Sequence, residues 1–368
     1  MAKLLVNASR VKYEVLNELF EDIDTVNFFI DAHRLYYRLL VNKNSSVVYA
    51  NGINVLVMDI VLSTLNTIGH YRRYLATRKK KSNRIFLIVN RRTPKFQSKL
   101  IYEYGKERFD RYSTEDPNFG PINLAINKAM EYLESIIPYF EDVFMINSNR
   151  IEECVSMSYI MNCKEAKDDF NILYTNSEFA MQLLNDNCVM LYPHQDKSKL
   201  YTHHNWTDYA SRQLKKPLNM TDIDVSYAPI FMAIHGIENR GISSRYIHGP
   251  KNILTAIQSV AESGLCKNNL SMEMFLDAIQ TIPSKKERKP SASDVVVLNQ
   301  LYKAFHIPTC IAALNSQEKT RIITGIYNLY DQVQLEQINE SLAQFEDIID
   351  ISNLNMNRVK TWLDLWED

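Results

Sequence analysis

The chain has 368 residues, of which 46% are hydrophobic and 23% are charged. This composition is typical of a globular protein with room for one large domain or two, and it excludes a disordered or fibrous chain. The formal net charge of -1 gives no general attraction to polyanions, and a total of only 9 glycines argues against a β-barrel.

The sequence carries no recognisable targeting or membrane segment. The apolar start at Met1–Asn7 ends too early for a secretion signal, and no apolar run approaches the ~20 residues that a membrane-spanning helix needs. The five cysteines are an odd number without C-x-x-C spacing, which favours reduced thiols. We therefore expect a cytoplasmic protein that makes no membrane contact.

The first clear strand signal is the apolar run Val26–Ile30, which ends on Asp31. An amphipathic pattern over 53–76 predicts a long helix, and a second apolar run over 84–90 predicts a parallel strand. An aspartate at the carboxyl end of such a strand is a candidate metal ligand, and it is equally a good helix N-cap. The residues alone leave both alternatives open.

The alternation of helices and strands continues after the second strand. Further helices are predicted over 122–137, 150–161 and 177–184, and further strands over 142–146, 170–175 and 189–192. This order is typical of a mostly parallel sheet with helices on both faces. We predict an α/β domain over residues 1–200.

The remainder, residues 201–368, is predicted to be a helical region. Residues 230–254 contain Gly236, Gly241 and Gly249 between helical segments, a pattern that indicates a tight turn between two helices. Residues 255–330 are expected to be helical apart from a polar loop over 283–290, and the last part is expected to form an extended segment over 345–351 and a closing helix.

A basic run follows the long first helix. Its members are Arg72, Arg73, Arg78, Lys79, Lys80, Lys81, Arg84, Arg91, Arg92, Lys95 and Lys99. Two interpretations remain open, a solvated helix end and a surface that contacts nucleic-acid phosphates.

Five short stretches share their order and spacing with a known family. They are Phe29–Ala32, Phe86–Asn90 with Pro94–Gln97, Arg150–Val155, Thr175–Leu183 and His235–Ile242. Together they resemble the structure-specific 5′-nuclease superfamily, which includes flap endonucleases and the RNase H-like exonuclease of T-even phages. The resemblance implies a PIN-like α/β fold with a helix-three-turn-helix, here degenerate, in the helical region.

The same resemblance implies that nucleic acid is contacted by the basic run and by three further residues. Tyr102 is expected to stack on a base, with Tyr104 as an alternative, and Gly236 and Gly241 belong to the helix-three-turn-helix. The predicted nucleic-acid-binding set is therefore Arg72, Arg73, Arg78, Lys79, Lys80, Lys81, Arg91, Arg92, Lys95, Tyr102, Gly236 and Gly241.

The chemistry that the resemblance implies is two-metal phosphodiester hydrolysis, which needs about half a dozen converging carboxylates. Asp31, Glu152 and Glu153 retain acidic positions and are the candidate catalytic residues. Other acidic positions of the family hold Val89, Arg150, Ser177, Phe179, Ile237 and Arg240. A site with only three carboxylates should bind a hard cation weakly or not at all. We therefore predict no metal cofactor, and the alternative is a site that binds Mg²⁺ or Mn²⁺.

Two further expectations follow from these losses. Arg150 is predicted to pair with Asp31 or Glu153 and to supply a fixed cation where the metal would lie. Gln97 replaces a family arginine and cannot form its bidentate phosphate contact.

The sequence therefore predicts a catalytically inactive 5′-nuclease-like protein, encoded by a phage, that serves as a binding or structural subunit. Its expected partners are other proteins of an assembly and single-stranded or branched DNA. One alternative is a weakly active, metal-dependent 5′-3′ exonuclease or flap endonuclease. A second alternative is a scaffold protein that makes no contact with nucleic acid.

Overall fold

The structure is a computed structural model. It describes residues 23–32, 56–57, 60–65, 67–69, 71–72, 82–90, 92–105, 120–137, 140, 142–163, 166, 168–194, 197–212, 220, 223–237, 240, 242, 249–263, 272–281 and 292–325. The loop expected over 283–290, the segment over 345–351 and the closing helix lie outside the described residues.

A six-stranded sheet forms the centre of the molecule. Its strands are β1 (Thr25–Asp31), β2 (Ser82–Val89), β3 (Val143–Asn147), β4 (Phe170–Tyr174), β5 (Cys188–His194) and β6 (Lys197–Tyr201). The spatial order is β3-β2-β1-β4-β5-β6, with the first five strands parallel and β6 antiparallel to β5. This mostly parallel sheet confirms the predicted α/β fold class.

The strand order places a topological switch point between β1 and β4. From β1 the chain adds β2 and β3 on one side, and then returns to add β4 on the other side. In open α/β sheets the crevice outside the carboxyl ends of two such strands is where ligands bind. The candidate ligand-binding crevice therefore lies beside the residues that follow β1 and β4.

Helices connect the strands and make up the described part of the chain after β6. Between β1 and β2 the described residues 56–57, 60–65, 67–69 and 71–72 are helical, as predicted for 53–76. The other helices are α1 (Lys95–Leu100), α2 (Gly120–Ile136), α3 (Glu153–Met161), α4 (Trp206–Ala210), α5 (Ala228–His235), α6 (Pro250–Glu262), α7 (Met272–Gln280), α8 (Ala292–Phe305), α9 (Ile307–Ala312) and α10 (Ser316–Thr324). Two short 3-10 helices span Glu178–Leu183 and Val225–Tyr227. None of the described helices is both long and apolar enough to cross a membrane.

Two hydrophobic cores cover the two faces of the sheet. Because successive side chains of a strand point to opposite faces, Phe28 and Ile30 join one core while Phe29 joins the other. On the second face Phe29, Phe86 and Phe144 stack in a row, with ring centroids 4.8 and 5.2 Å apart. Buried residues of α5 to α10 belong to this second core, so the helical region packs directly on the sheet. The domain boundary at residue 200 stays a prediction.

The edge strand β6 was not predicted from the sequence. Its residues Lys197–Tyr201 include two lysines, which is typical of an edge strand and weakens the apolar signal on which strand prediction depends. The predicted short helix over 177–184 is a 3-10 helix instead, spanning Glu178–Leu183.

A side chain at Gly325, which follows α10, would crowd strand β3 of the sheet. A β-carbon at this position would be 2.8 Å from Ile146 Cδ1 and 3.2 Å from the Met145 carbonyl oxygen, whereas one at Gly249 would have nothing within 4 Å. We expect Gly325→Ser to lower the free energy of unfolding by about 1–3 kcal/mol through overpacking. Urea denaturation measures the change.

Gly249→Ser is the matched control, because Gly249 is the N-cap of α6 and serine is a favoured N-cap residue. This substitution should leave the free energy of unfolding unchanged or raise it slightly. Equal destabilisation of the two variants would contradict the close contact at Gly325.

Candidate functional site at the carboxyl edge of the sheet

Asp31 is the last residue of β1 and is 5% exposed. Thr175, which directly follows β4, donates its hydroxyl to Asp31 Oδ2 at 2.9 Å, and the same hydroxyl oxygen accepts from the Ser177 backbone N–H at 3.1 Å. The carboxylate therefore lies at the switch point between β1 and β4. Whether Asp31 caps a helix depends on residues after 32, outside the described part of the chain.

Glu152 and Glu153 lie at the start of α3, and both side chains are buried. The guanidinium of Arg240 forms an ion pair with Glu152, and Arg240 Nη2 is 3.4 Å from Glu153 Oε2. Arg240 is itself only 5% exposed. A buried arginine thus occupies the space between the two acids.

Two further hydrogen bonds hold this cluster together. Tyr104, which is fully buried, donates its hydroxyl to Glu152 Oε2 at 2.7 Å. The backbone N–H of Gly105 donates to the Arg240 carbonyl oxygen at 2.8 Å. Neighbouring residues therefore hold both partners of the ion pair: Tyr104 fixes the Glu152 side chain, and Gly105 fixes the Arg240 main chain.

Arg150 does not supply the fixed cation, so that expectation from the sequence is wrong. Its side chain is exposed, and its backbone has φ 66° in the turn before α3. Arg240, 88 residues after Glu152, supplies the cation instead. The signal was present in the sequence, since Arg240 stands at a position that is acidic in the 5′-nucleases.

The donor set does not fit a divalent cation. Among the described residues no group of three His, Cys, Asp or Glu side chains is placed to hold a metal ion. Glu152 and Glu153 already accept from a guanidinium, and a second cation beside Arg240 would meet its repulsion. No catalytic step through a metal is derived for this site, and the lack of a metal cofactor stays a prediction.

The cysteine of the site is not a nucleophile. Cys154 is fully buried, and its pKa is raised well above its ordinary value, chiefly by burial and then by the negative charges of Glu152, Asp31 and Glu153. Cys310, close to Glu152, has its pKa raised to about 12, again chiefly by burial. Both thiols are protonated at neutral pH, whereas nucleophilic cysteine chemistry needs the thiolate.

Two members of the basic run, Arg72 and Arg84, pair with aspartates away from this site. Arg72 pairs with Asp142 at 2.6 Å, and Arg84 forms an ion pair with Asp169. These two aspartates immediately precede β3 and β4, so both pairs lie at the amino edge of the sheet, opposite the buried acids.

The other residues predicted to contact nucleic acid differ in their exposure to solvent. Arg92 and Lys95 are exposed after β2, at the carboxyl side, and Tyr102 is 82% exposed. Tyr104 is buried and unavailable for base stacking. Gly236 ends α5 with φ 81°, a conformation that favours glycine. Predictions for Arg73, Arg78, Lys79, Lys80, Lys81, Arg91 and Gly241 lie outside the described residues.

Comparisons with known proteins identify similar folds only among solved structures. No family model matches the chain, and no curated protein matches it. The bacteriophage T5 D15 flap endonuclease, as a pseudo-enzyme-product complex with DNA and metal ions, is 14% identical with a TM-score of 0.49, over 87% of this chain and 99% of that chain. The T5 5′-exonuclease with bound zinc is 15% identical with a TM-score of 0.47, over 88% and 99%.

The first structure is named a flap endonuclease and the second a 5′-exonuclease. At these identities the similarity concerns the fold, and the DNA and metal ions belong to those proteins.

Proposed function

We propose that this chain is a catalytically inactive 5′-nuclease-like protein, a pseudonuclease, that acts as a binding or structural subunit of a larger assembly. The observation that carries the proposal is the burial of the Arg240 guanidinium between Glu152 and Glu153. An arginine side chain stays protonated in proteins and donates up to five hydrogen bonds. It therefore gives the site a permanent positive charge without the open coordination positions of a metal ion.

Displacement of Arg240 by a metal ion is costly. A divalent cation bound by Glu152 and Glu153 would leave the guanidinium buried without a carboxylate partner, and breaking a buried pair in this way costs about 3–5 kcal/mol. Since ~1.4 kcal/mol is a factor of ten in affinity, this penalty weakens metal binding by about two to three orders of magnitude. The weakly active nuclease is the less favoured alternative for this reason.

Contact with single-stranded or branched DNA is part of the same proposal. The exposed side chains of Arg92, Lys95 and Tyr102 support it, because exposed cations and an exposed ring are the groups that bind single strands. The ion pairs of Arg72 and Arg84 remove two cations from that surface. The cytoplasmic location and the phage origin rest on the sequence alone.

The test is a cleavage assay on a labelled 5′-flap substrate with Mg²⁺ or Mn²⁺, together with a calorimetric Mn²⁺ titration. We expect no cleavage above the rate of a protein-free control, and no Mn²⁺ binding tighter than about 1 mM, because Arg240 already neutralises the acids. An active 5′-nuclease on the same substrate serves as the positive control.

Cleavage that disappears in Asp31→Ala and persists in Asp24→Ala would show an active site and overturn the proposal. Asp24 is the matched control because it is an exposed aspartate next to the opposite end of β1. Binding to a forked oligonucleotide that weakens in Arg92→Glu separates a nucleic-acid-binding subunit from a pure scaffold.

A further inference from the structure

A cleft of about 260 Å³ opens beside Glu152 on the surface of the molecule. It lies between α1, the turn before α3, and the α9–α10 pair. Three basic side chains line it, Lys95 and Lys99 from α1 and Arg150 from the turn, and all three are exposed. The side that α1 and the turn form therefore carries three cations, and Glu152, which also lines the cleft, is paired with Arg240.

The rest of the lining is mostly apolar. Ile151 and Val155 are buried core residues that also line the cleft, and Leu314 and Ala313 line it from the other side. The volume is below the about 300–1,000 Å³ of typical small-molecule sites. A space of this size suits one anchoring side chain of a longer ligand.

The turn that carries Arg150 is fixed in an unfavourable backbone conformation. Arg150 is the one non-glycine residue with positive φ among those that the structure describes. The turn is held by hydrogen bonds from Ser148 N to the Val89 carbonyl at 2.7 Å and from Lys95 N to the Arg150 carbonyl at 2.8 Å. A bulky residue that keeps a left-handed conformation at a cost is found most often where its side chain has a role in binding.

We propose that this cleft binds a short acidic segment of a partner protein that carries an apolar side chain. Carboxylates of the segment pair with Lys95, Lys99 and Arg150, and the apolar side chain packs against Ile151 and Leu314. Charge complementarity selects an anionic ligand, and the apolar wall selects a peptide with a hydrophobic anchor. The inference names a partner chemistry for the proposed binding subunit, and it rests on that proposed role.

Nucleic acid fits this cleft less well than a peptide. Glu318 lines the cleft as well, and its carboxylate accepts hydrogen bonds from peptide N–H groups, which a sugar-phosphate backbone does not offer. Binding of single-stranded nucleic acid without sequence preference depends on exposed aromatic rings, and the one aromatic lining residue, Phe96, is half-buried.

The test uses the full chain and fluorescence anisotropy with two labelled probes. The first is a peptide of alternating aspartate and leucine, and the second is an oligothymidylate of similar length. We expect the peptide to bind and to weaken with salt. Arg150→Glu should weaken peptide binding at least about tenfold, and Ala313→Glu, which places a charge in the apolar part of the cleft, should do the same.

Two further variants separate binding from folding. Arg150→Gly removes the side chain and suits the positive φ, so it should keep or raise the Tm while weakening peptide binding about fivefold. Lys251→Glu reverses the charge of an exposed residue of α6 that does not line the cleft. The affinity of this variant for the peptide should stay within about twofold of that of the unmodified chain.

No detectable peptide binding up to millimolar concentration would overturn the inference. Preferential binding of the oligothymidylate, lost in Arg150→Glu, would also overturn it and assign the cleft to nucleic acid. Either result leaves the Mn²⁺ titration and the flap assay unchanged, so failure of this inference is distinguishable from failure of the proposed function.

Discussion

Replacement of Arg240 by alanine should lower the free energy of unfolding by about 3–5 kcal/mol, as measured by urea denaturation. The reason is that Glu152 and Glu153 are both buried and would lose the guanidinium that pairs with them.

Arg72→Ala is the matched control, because it removes an arginine whose ion pair with Asp142 is about one-third exposed. Such a partly exposed pair contributes about 0–1 kcal/mol. Similar destabilisation of the two variants would contradict the buried role of Arg240.

Mn²⁺ gives the Arg240 variant a second readout. Once the guanidinium is removed, it no longer repels a divalent cation beside the two glutamates, so millimolar Mn²⁺ should raise the Tm of Arg240→Ala and leave that of the unmodified chain unchanged. The triple variant Arg240→Ala, Glu152→Gln, Glu153→Gln should show no Mn²⁺ effect. If Mn²⁺ stabilises the unmodified chain equally, Arg240 does not exclude the metal.

Replacement of Trp206 by alanine should cost about 3–5 kcal/mol of the free energy of unfolding. Trp206 is fully buried in α4, its Nε1–H donates to the Ile223 carbonyl oxygen at 2.6 Å, and its ring meets Phe231 of α5 edge-on at 6.3 Å. The side chain thus joins three segments of the helical region. Thermal and urea unfolding both measure the loss.

Trp206→Phe keeps most of the apolar volume and loses the hydrogen bond, so it should cost about 1–3 kcal/mol, the penalty of a buried carbonyl without a partner. Tyr102→Ala removes an aromatic ring that is 82% exposed and should change stability by less than about 0.5 kcal/mol. A Trp206→Ala variant as stable as Tyr102→Ala would rule out this packing role.

The strands that form the buried centre were predictable from the sequence because their apolar runs are strong. The run ending on Asp31 and the run over 84–90 form β1 and β2 within two residues of the predicted bounds. β6 was missed because an edge strand with lysines lacks such a run. Element boundaries near α3 also shifted, since Arg150 lies in a turn and the helix begins at Glu153.

The candidate site was predictable only in part. Asp31 lies at the end of β1 as the sequence predicts, and Glu152 and Glu153 lie at the start of α3; their catalytic role stays a prediction. The resemblance marked Arg240 as standing at an acidic position of the family, but its pairing with Glu152, 88 residues away, was not predictable from local patterns. Local sequence patterns favoured Arg150 as the cation of the site because it is close to Glu152 in sequence, whereas Arg240 is close to Glu152 only in the folded chain.

The distance along the chain between the two glutamates and Arg240 has a consequence for folding during synthesis. A chain emerges from the ribosome amino-terminus first, and segments begin to fold as they emerge. Until residue 240 has been made, Glu152 and Glu153 lack the Arg240 guanidinium that pairs with them in the folded chain, so they favour solvated positions. The carboxyl edge of the sheet is therefore expected to close late, after the helical region has emerged, and a fragment that stops at residue 200 should expose two charged side chains there.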